Sequence, residues 1–404
     1  MAPEPWRALG RSGDRLVDDG PWIRLPREAT IARLPGRAAV GQRTPSGRGA
    51  SRVAELPPDR GAAVAAVLPV GYLRLLLPAH RPVAPGGPTL PLYGYTALAE
   101  RDGELVVAAT RTDTFAWWRP QRHRTAELPP LVARAEARLP GNPLVAQLRT
   151  CALQHNCYTA QNTFRRRYEG ALPTSAACNA DCLGCISLQW DSGAPTPQPR
   201  IPRSPSARDL VDLAAYHLEG GGQMVSFGQG CEGEPLLRSA VLEPVVAEVR
   251  RRFPDATIHI NTNGSRPDDL VRLVRAGLDS ARISVFSFTQ ELFAAYYRPR
   301  GYGIDDVVES ARRLRALGVQ VAVNLLTFPG VTDAPAEARR TLDTLAALAV
   351  HQVQLRSLNV DPLWLLERLP PQPPGLGLAA FVARLRQELP AVSLGNFTRP
   401  VGAA

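Results

Sequence analysis

Ala177-Cys178-Asn179-Ala180-Asp181-Cys182-Leu183-Gly184-Cys185-Ile186 places three of the chain's six cysteines inside eight residues, at the spacing C-x3-C-x2-C. Three thiolates on one tight loop can clasp a single compact metal centre, and an iron-sulfur cluster is the natural occupant. Zinc is the competing reading. A structural zinc site, however, closes with four ligands, usually from two separated pairs, and the chain has no second C-x2-C and no H-x3-H. Three protein ligands leave one metal position open, free to take a small chelating molecule.

Working outward, a short strand is expected near 171–175, just before this loop. The stretch after it carries Pro195, Pro197, Pro199, Pro202 and Pro205, where regular structure is not expected. Beyond Ser206 the pattern becomes rhythmic. Ser206 to Asp209 reads as a capping box opening a helix with Leu210, Leu213 and Leu218 on one face. Strands are expected at 224–227, 257–261, 282–286, 319–326 and 352–356. Between them lie helices marked by Leu242 and Val249, Leu270 and Leu273, Val307 and Leu314, and Leu342 and Leu348, with Ser265 as a cap. A last helix holds Leu378, Phe381 and Leu385. Strands alternating with helices mean repeated βα units and a parallel sheet. Six such units are too few to close an eight-stranded barrel, which leaves an open partial barrel or a doubly wound sheet. In either, the chemistry belongs at the C-terminal ends of the strands.

The loop after the second strand runs Gly228-Gln229-Gly230-Cys231-Glu232-Gly233-Glu234-Pro235, with glycines that let backbone approach a ligand and two carboxylates beside them. The cysteine spacing, the open metal position and this loop together resemble the radical SAM superfamily. The resemblance covers about residues 170–360. It implies an α/β fold, a partial (β/α)6 TIM-like barrel, and a 4Fe-4S cluster on Cys178, Cys182 and Cys185. In the family the unique iron is chelated by the amino and carboxylate groups of S-adenosyl-L-methionine, and an electron from the cluster cleaves the sulfonium to a 5'-deoxyadenosyl radical. Gly230, Glu232, Gly233 and Glu234 would then line the cofactor. Gly233, Glu234 and Pro235 match the end of the family's glycine-glycine-glutamate-proline motif, Glu232 stands where glycine is usual, and Glu234 is the preferred partner of the cofactor's amino group. The polar run Asn261 to Gly264 ends the third strand as is common in the family. Ser284 and Ser287 stand where ribose contacts often lie, Arg298 where an arginine approaches the cofactor carboxylate, and Asn324 and the 330–333 turn near adenosine. Leu183 replaces the usual aromatic residue, so adenine packing there would be aliphatic.

Upstream, residues 1–60 are rich in Arg, Pro, Gly and Ala without sustained periodicity, and are expected to form a flexible or loosely ordered arm. Residues 61–125 read as a small N-terminal β-containing domain, with a hairpin turn at Asp102-Gly103. Residues 126–169 read as a connector of two helices carrying Cys151 and Cys157, 170–360 as the core, and 361–404 as a C-terminal helix and tail.

The net charge of +10 invites a nucleic-acid partner. All 47 basic residues are arginine and are spread along the chain, as compositional pressure on the coding sequence would leave them, so nucleic acid stays the secondary partner class. The expected partners are a low-potential electron donor of flavodoxin or ferredoxin type and an unidentified substrate. No apolar run reaches membrane-spanning length and no signal peptide is evident, so a cytoplasmic location is expected. The alternatives to catalysis are an iron-sulfur redox or electron-transfer protein and a zinc-binding RNA module. Cys231, outside the triad, reads either as inert packing or as a catalytic thiol exchanging hydrogen with a substrate radical, or as a ligand with Cys151 and Cys157 of an accessory metal.

Overall fold

Seven strands lie side by side in chain order, all parallel: Tyr168–Leu172, Gly222–Phe227, Thr257–Thr262, Ser280–Val285, Gln320–Thr327, Gln352–Ser357 and Ser393–Gly395. In the computed structural model, which describes residues 6–17, 20–43, 52–55, 62–189 and 192–402, the first and seventh strands do not pair, so the sheet is an open partial barrel. The first six are the strands expected from the sequence. The seventh, against the sixth at Gln352↔Ser393, adds one. At three residues it is too short to show an alternation.

The helices form where the local chemistry asks for them. Ser206 and Asp209 exchange side-chain and backbone bonds in the capping box that opens Ala207–Leu218, and three arginines end Ser239–Arg252, where cations complement the helix dipole. Ser265 does not cap Pro267–Ala276, whose first turn has no side-chain cap. Its hydroxyl accepts from Asn179 Nδ2 instead, at 2.9 Å, which ties the third strand's exit to the cysteine loop. The connector has three helices, Pro129–Arg138, Pro143–Leu153 and Tyr158–Arg165, rather than two.

The faces of the sheet differ. Ile258, Ile260, Val321, Val323, Val353 and Leu355 are buried in the main core. The alternate positions are polar: His259 bonds Asn261 and Ser280, and Arg282 donates to Gln354 at 3.1 Å. These polar groups find partners within the sheet, as burial requires. The tail beyond the seventh strand runs across this polar face, with Gln352 Nε2 on Phe397 O, Gln354 Nε2 on Thr398 and Val401 N–H on Thr257 Oγ1.

The chain from Trp6 to Arg43 is not a loose arm. It forms short strands and the long Thr30–Arg43, which pairs antiparallel with Ala62–Val67, His80–Pro82, Arg52–Glu55 and Trp6–Ala8. Its hydrogen bonds are satisfied by strands further along, a source of order that local composition does not reveal. The rest of the expected arm, at 1–5, 18–19, 44–51 and 56–60, lies outside the described residues. This β domain docks on the ends of the fifth and sixth strands. Arg37 pairs with Asp361 at 2.8 Å, both almost fully buried, Arg74 N–H meets Ser357 Oγ at 3.0 Å, and Gly13 N–H meets Pro329 O at 2.8 Å. The segment 112–123 then bridges the open edge: Thr112 and Asp113 bond Asn396 beyond the seventh strand, while Trp117 stacks on Tyr168 of the first at 4.5 Å. No described helix is long and apolar enough to cross a membrane.

Candidate functional site

Cys178, Cys182 and Cys185 stand on the loop after the first strand, each half-buried. Backbone pins this loop on both flanks. On one, Gly233 N–H donates to Ser175 O at 2.7 Å and Glu234 N–H to Ala177 O at 2.8 Å. A Cβ at Gly233 would fall 2.0 Å from Ala177 O, so only glycine allows the approach. On the other, Asp181 N–H reaches Tyr297 O at 3.0 Å, Leu183 N–H reaches Tyr296 O at 2.9 Å and Arg300 N–H reaches Asn179 O at 2.8 Å. The Arg300 guanidinium adds an ion pair to Asp181 and a bond to Cys178 O.

The loop suits a cationic centre. Burial pushes the Cys178 thiol up to about 11, helped by Glu234, and burial with Cys185 and Cys178 nearby holds Cys182 well above the thiol range. Thiolates so placed need a positive partner, which iron supplies. Arg200 and Ser187 reach Cys185 Sγ at 3.7 and 3.4 Å, as polar donors to a ligating sulfur do. The Tyr302 hydroxyl is buried without a hydrogen-bond partner, and the charges of Cys182, Glu234 and Cys178 bear on it. An orphaned donor at that spot is what a missing ligand leaves. Among the described residues no three Cys, His, Asp or Glu side chains gather around one metal ion. Cysteines of a cubane ligate three different irons, so the donor set fits a cluster.

The two carboxylates divide. Glu232 accepts from Thr174 and Ser175 N–H at 2.7 and 2.8 Å and from Gln229 N–H at 2.6 Å, lashing the first strand's exit to the second's. Burial pushes it up to about 8 against the pull of those donors. Glu234 caps the turn Pro235–Arg238 through Leu236 N–H and accepts from Thr262 Oγ1 at 2.6 Å and Asn263 N–H at 2.8 Å. Burial pushes it up to about 7, and it is the acid that acts on Cys178.

The other expected residues fall into two groups. Ser284 and Asn324 face each other in register, with Asn324 Nδ2 on Ser284 Oγ at 3.1 Å and Asn324 Oδ1 buried without a partner. Gly230 packs against Ile186 and Gln198, and Leu183 is buried. Arg298 ends helix Gln290–Tyr297 in a left-handed conformation. The 330–333 turn is tied elsewhere: Asp333 accepts from Gly330 and Gly377 N–H, and Gly330 packs on Gly13. Cys231 is buried with its thiol bonded to that of Cys151, which also accepts from Gln147 and Gln198. Its thiol partner thus lies on the connector helix rather than among the triad. It forms no three-ligand group with Cys151 and Cys157.

Sequence reading passed over Arg200, Thr262, Arg300 and Tyr302. Arg300 and Tyr302 lie within four residues of Arg298, and only the antiparallel bridge of Pro299 to Ala180 tells them apart. Thr262 lay inside the polar run Asn261 to Gly264 without being singled out, and nothing local marks Arg200.

The family model described as the radical SAM superfamily matches residues 172–342. Over that segment the chain is similar to the radical SAM superfamily. The matched segment starts at the end of the first strand and contains the triad and both carboxylates. The chain is 27% identical over 210 residues to the FeMo cofactor biosynthesis protein NifB of Klebsiella pneumoniae, covering 47% of this chain and 43% of that one. It is 28% identical over 205 residues to the GTP 3',8-cyclase of Paenarthrobacter nicotinovorans, covering 49% and 52%. The chain spans about half the length of these curated relatives. Among solved structures, methylornithine synthase is similar with a TM-score of 0.41 and 16% identity, covering 67% of this chain and 74% of that one. Members of this superfamily are enzymes that use a 4Fe-4S cluster and S-adenosyl-L-methionine.

Proposed function

We propose that this protein is a radical SAM enzyme that holds its 4Fe-4S cluster on Cys178, Cys182 and Cys185 and cleaves S-adenosyl-L-methionine reductively, so that the 5'-deoxyadenosyl radical acts on a substrate at the mouth of the sheet. The observation that carries the reading is the cysteine loop held between two backbone ladders, with Glu234 and the unpartnered Tyr302 hydroxyl beside it. When bound, the cluster supplies the electron that breaks the cofactor's sulfonium bond. The chain's part is to bind and orient. Glu234, on the cluster side, offers a carboxylate to the cofactor's ammonium, a charge-assisted bond. Ser284 and Asn324 offer hydroxyl and amide groups to the ribose end, Arg298 a guanidinium to the carboxylate, and Gly230 and Gly233 let backbone come close. Glu232 holds the two strand exits at a fixed spacing.

A low-potential flavodoxin or ferredoxin would supply the electron. The relatives are named for unlike tasks, FeMo cofactor biosynthesis and GTP cyclisation, and at this identity over half a chain neither substrate is carried over. The test is product analysis: reconstituted, dithionite-reduced protein should convert S-adenosyl-L-methionine to 5'-deoxyadenosine and methionine, and Cys182→Ala should abolish it. A protein with a full cluster that makes neither product would instead be an electron carrier.

A further inference from the structure

Where the N-terminal β domain meets the sheet, two cavities adjoin across the turn 69–72. The outer, of about 310 Å3, is walled by the rings of Tyr72, Phe115, Trp118 and Phe397, with the exposed side chains of Arg111 and Arg119 at its rim. The inner, of about 180 Å3, reaches the end of the sixth strand at Arg356. Residues 69–72 line both, so a single turn is the shared wall. The outer chamber alone is of small-molecule size, and a domain seam is a common place for such sites.

The charges here do not balance internally. Arg111 has only the ring of Tyr72, at 5.9 Å, and the Arg119 guanidinium has no partner among the described residues. Arg356 is half-buried, bonds the carbonyl of Asn396 and lies 5.0 Å over Phe397. Burial and the neighbouring Arg282 push Arg356 down to about 9, with Glu169 and Asp113 set against it and Glu169 also facing Arg282. Of the two acids on the outer walls, Asp113 gives both oxygens to the N–H groups of Phe115 and Asn396, and Glu28 accepts from Gln121 at 2.7 Å. The Thr96 hydroxyl, on a residue of the inner wall, is buried without a partner. Guanidinium matches carboxylate or phosphate in a planar fork, and aromatic walls take a flat ring.

We propose that the two cavities form one binding tract for an organic anion carrying a flat ring, with the ring in the outer chamber under Arg111 and Arg119 and the carboxylate or phosphate directed at Arg356. As the class of substrate for the reaction above, this rests on that reading; as a binding site it does not. An occupant would lie with its charged end beside the strand exits that carry the cofactor residues.

The experiment is calorimetric titration of the reconstituted full-length protein with phenylpyruvate, AMP, inorganic phosphate and adenosine, repeated on Arg111→Ala/Arg119→Ala. A ring-bearing anion should bind about tenfold or more tighter than phosphate or adenosine, and the double variant should lose about tenfold of that affinity, as loss of charge-assisted bonds does. Phenylpyruvate against AMP separates carboxylate from phosphate. Phosphate or adenosine matching both ring-bearing anions, or unchanged binding in the variant, would overturn the assignment. Both arginines are exposed on the rim, so the variant should fold and still cleave S-adenosyl-L-methionine. Failure of the tract therefore leaves the proposed chemistry standing, and failure of that cleavage in the wild type leaves the tract.

Discussion

At the mouth of the sheet, the flank around the first two strands gathers thiols and carboxylates, and the flank around the fifth and sixth gathers guanidiniums. On the first flank the polar atoms are met from the same or the next loop: Glu232 by the backbone N–H groups of 174, 175 and 229, Cys185 by the side chains of Ser187 and Arg200. On the second the partners are far apart in sequence. Arg37 meets Asp361, and the fully buried Arg74 donates to Tyr93 O, Tyr95 O and Leu358 O. The first flank is a prepared cradle for a cation. The second is a tertiary joint with positive charge left over. The difference predicts that damage to the second flank costs stability, whereas damage to the thiols and Glu234 of the first costs binding.

The sharpest break of that contrast is Asp361→Ala. Removing the carboxylate strands a buried guanidinium and frees Leu90 N–H, which bonds Asp361 at 2.9 Å. Loss of one partner of a buried pair costs about 3–5 kcal/mol. Denaturant unfolding should show that loss while iron content per folded chain is unchanged. A variant within about 1 kcal/mol of wild type would mean the β domain is not held through this pair.

Glu234→Gln and Glu232→Gln should fail differently. The first should weaken S-adenosyl-L-methionine binding by about tenfold, since glutamine keeps the shape and loses the charge. The second should lower stability more than affinity, because its amide N–H2 would face backbone donors. The pH dependence follows from the raised Glu234. With its ordinary value near 4.5 pushed up to about 7, the carboxyl is increasingly protonated below pH 7 and only the ionised form pairs with an ammonium. Affinity should therefore rise about tenfold from pH 6 to pH 8 in the wild type, and less in Glu234→Gln. Titrations at those pH values check both, and equal pH profiles would remove Glu234 from the cofactor.

The smallest effect is expected for Arg300→Gln. Its ion pair with Asp181 is half-exposed and worth about 0.2–1 kcal/mol. The three backbone bonds of 296–300 should keep the loop in place and the iron bound. Iron loss in this variant would show that the guanidinium, not the ladder, holds the loop.

The flanks also differ in how much of each could be read from sequence. Three cysteines in eight residues, the Gly233-Glu234-Pro235 run and the beat of six strands are local patterns, and they located the sheet and the cradle. The split between Glu232 and Glu234 was only half visible, because both sit in one loop and Thr262 and Asn263, which hold Glu234, come from another strand. The ordering of 6–43 was invisible: its strands satisfy their hydrogen bonds with 62–67 and 80–82, while its composition is that of an unstructured arm. Arg37–Asp361, 324 residues apart in sequence, carries no local signal at all.

The central claim, that the triad holds a cluster with one iron open to S-adenosyl-L-methionine, is tested most directly by low-temperature EPR of the anaerobically reconstituted, reduced protein. The account predicts the signal of a reduced 4Fe-4S cluster that changes shape when S-adenosyl-L-methionine is added, and no such signal in Cys178→Ala. A signal indifferent to the cofactor, or stoichiometric zinc in place of iron, would contradict it.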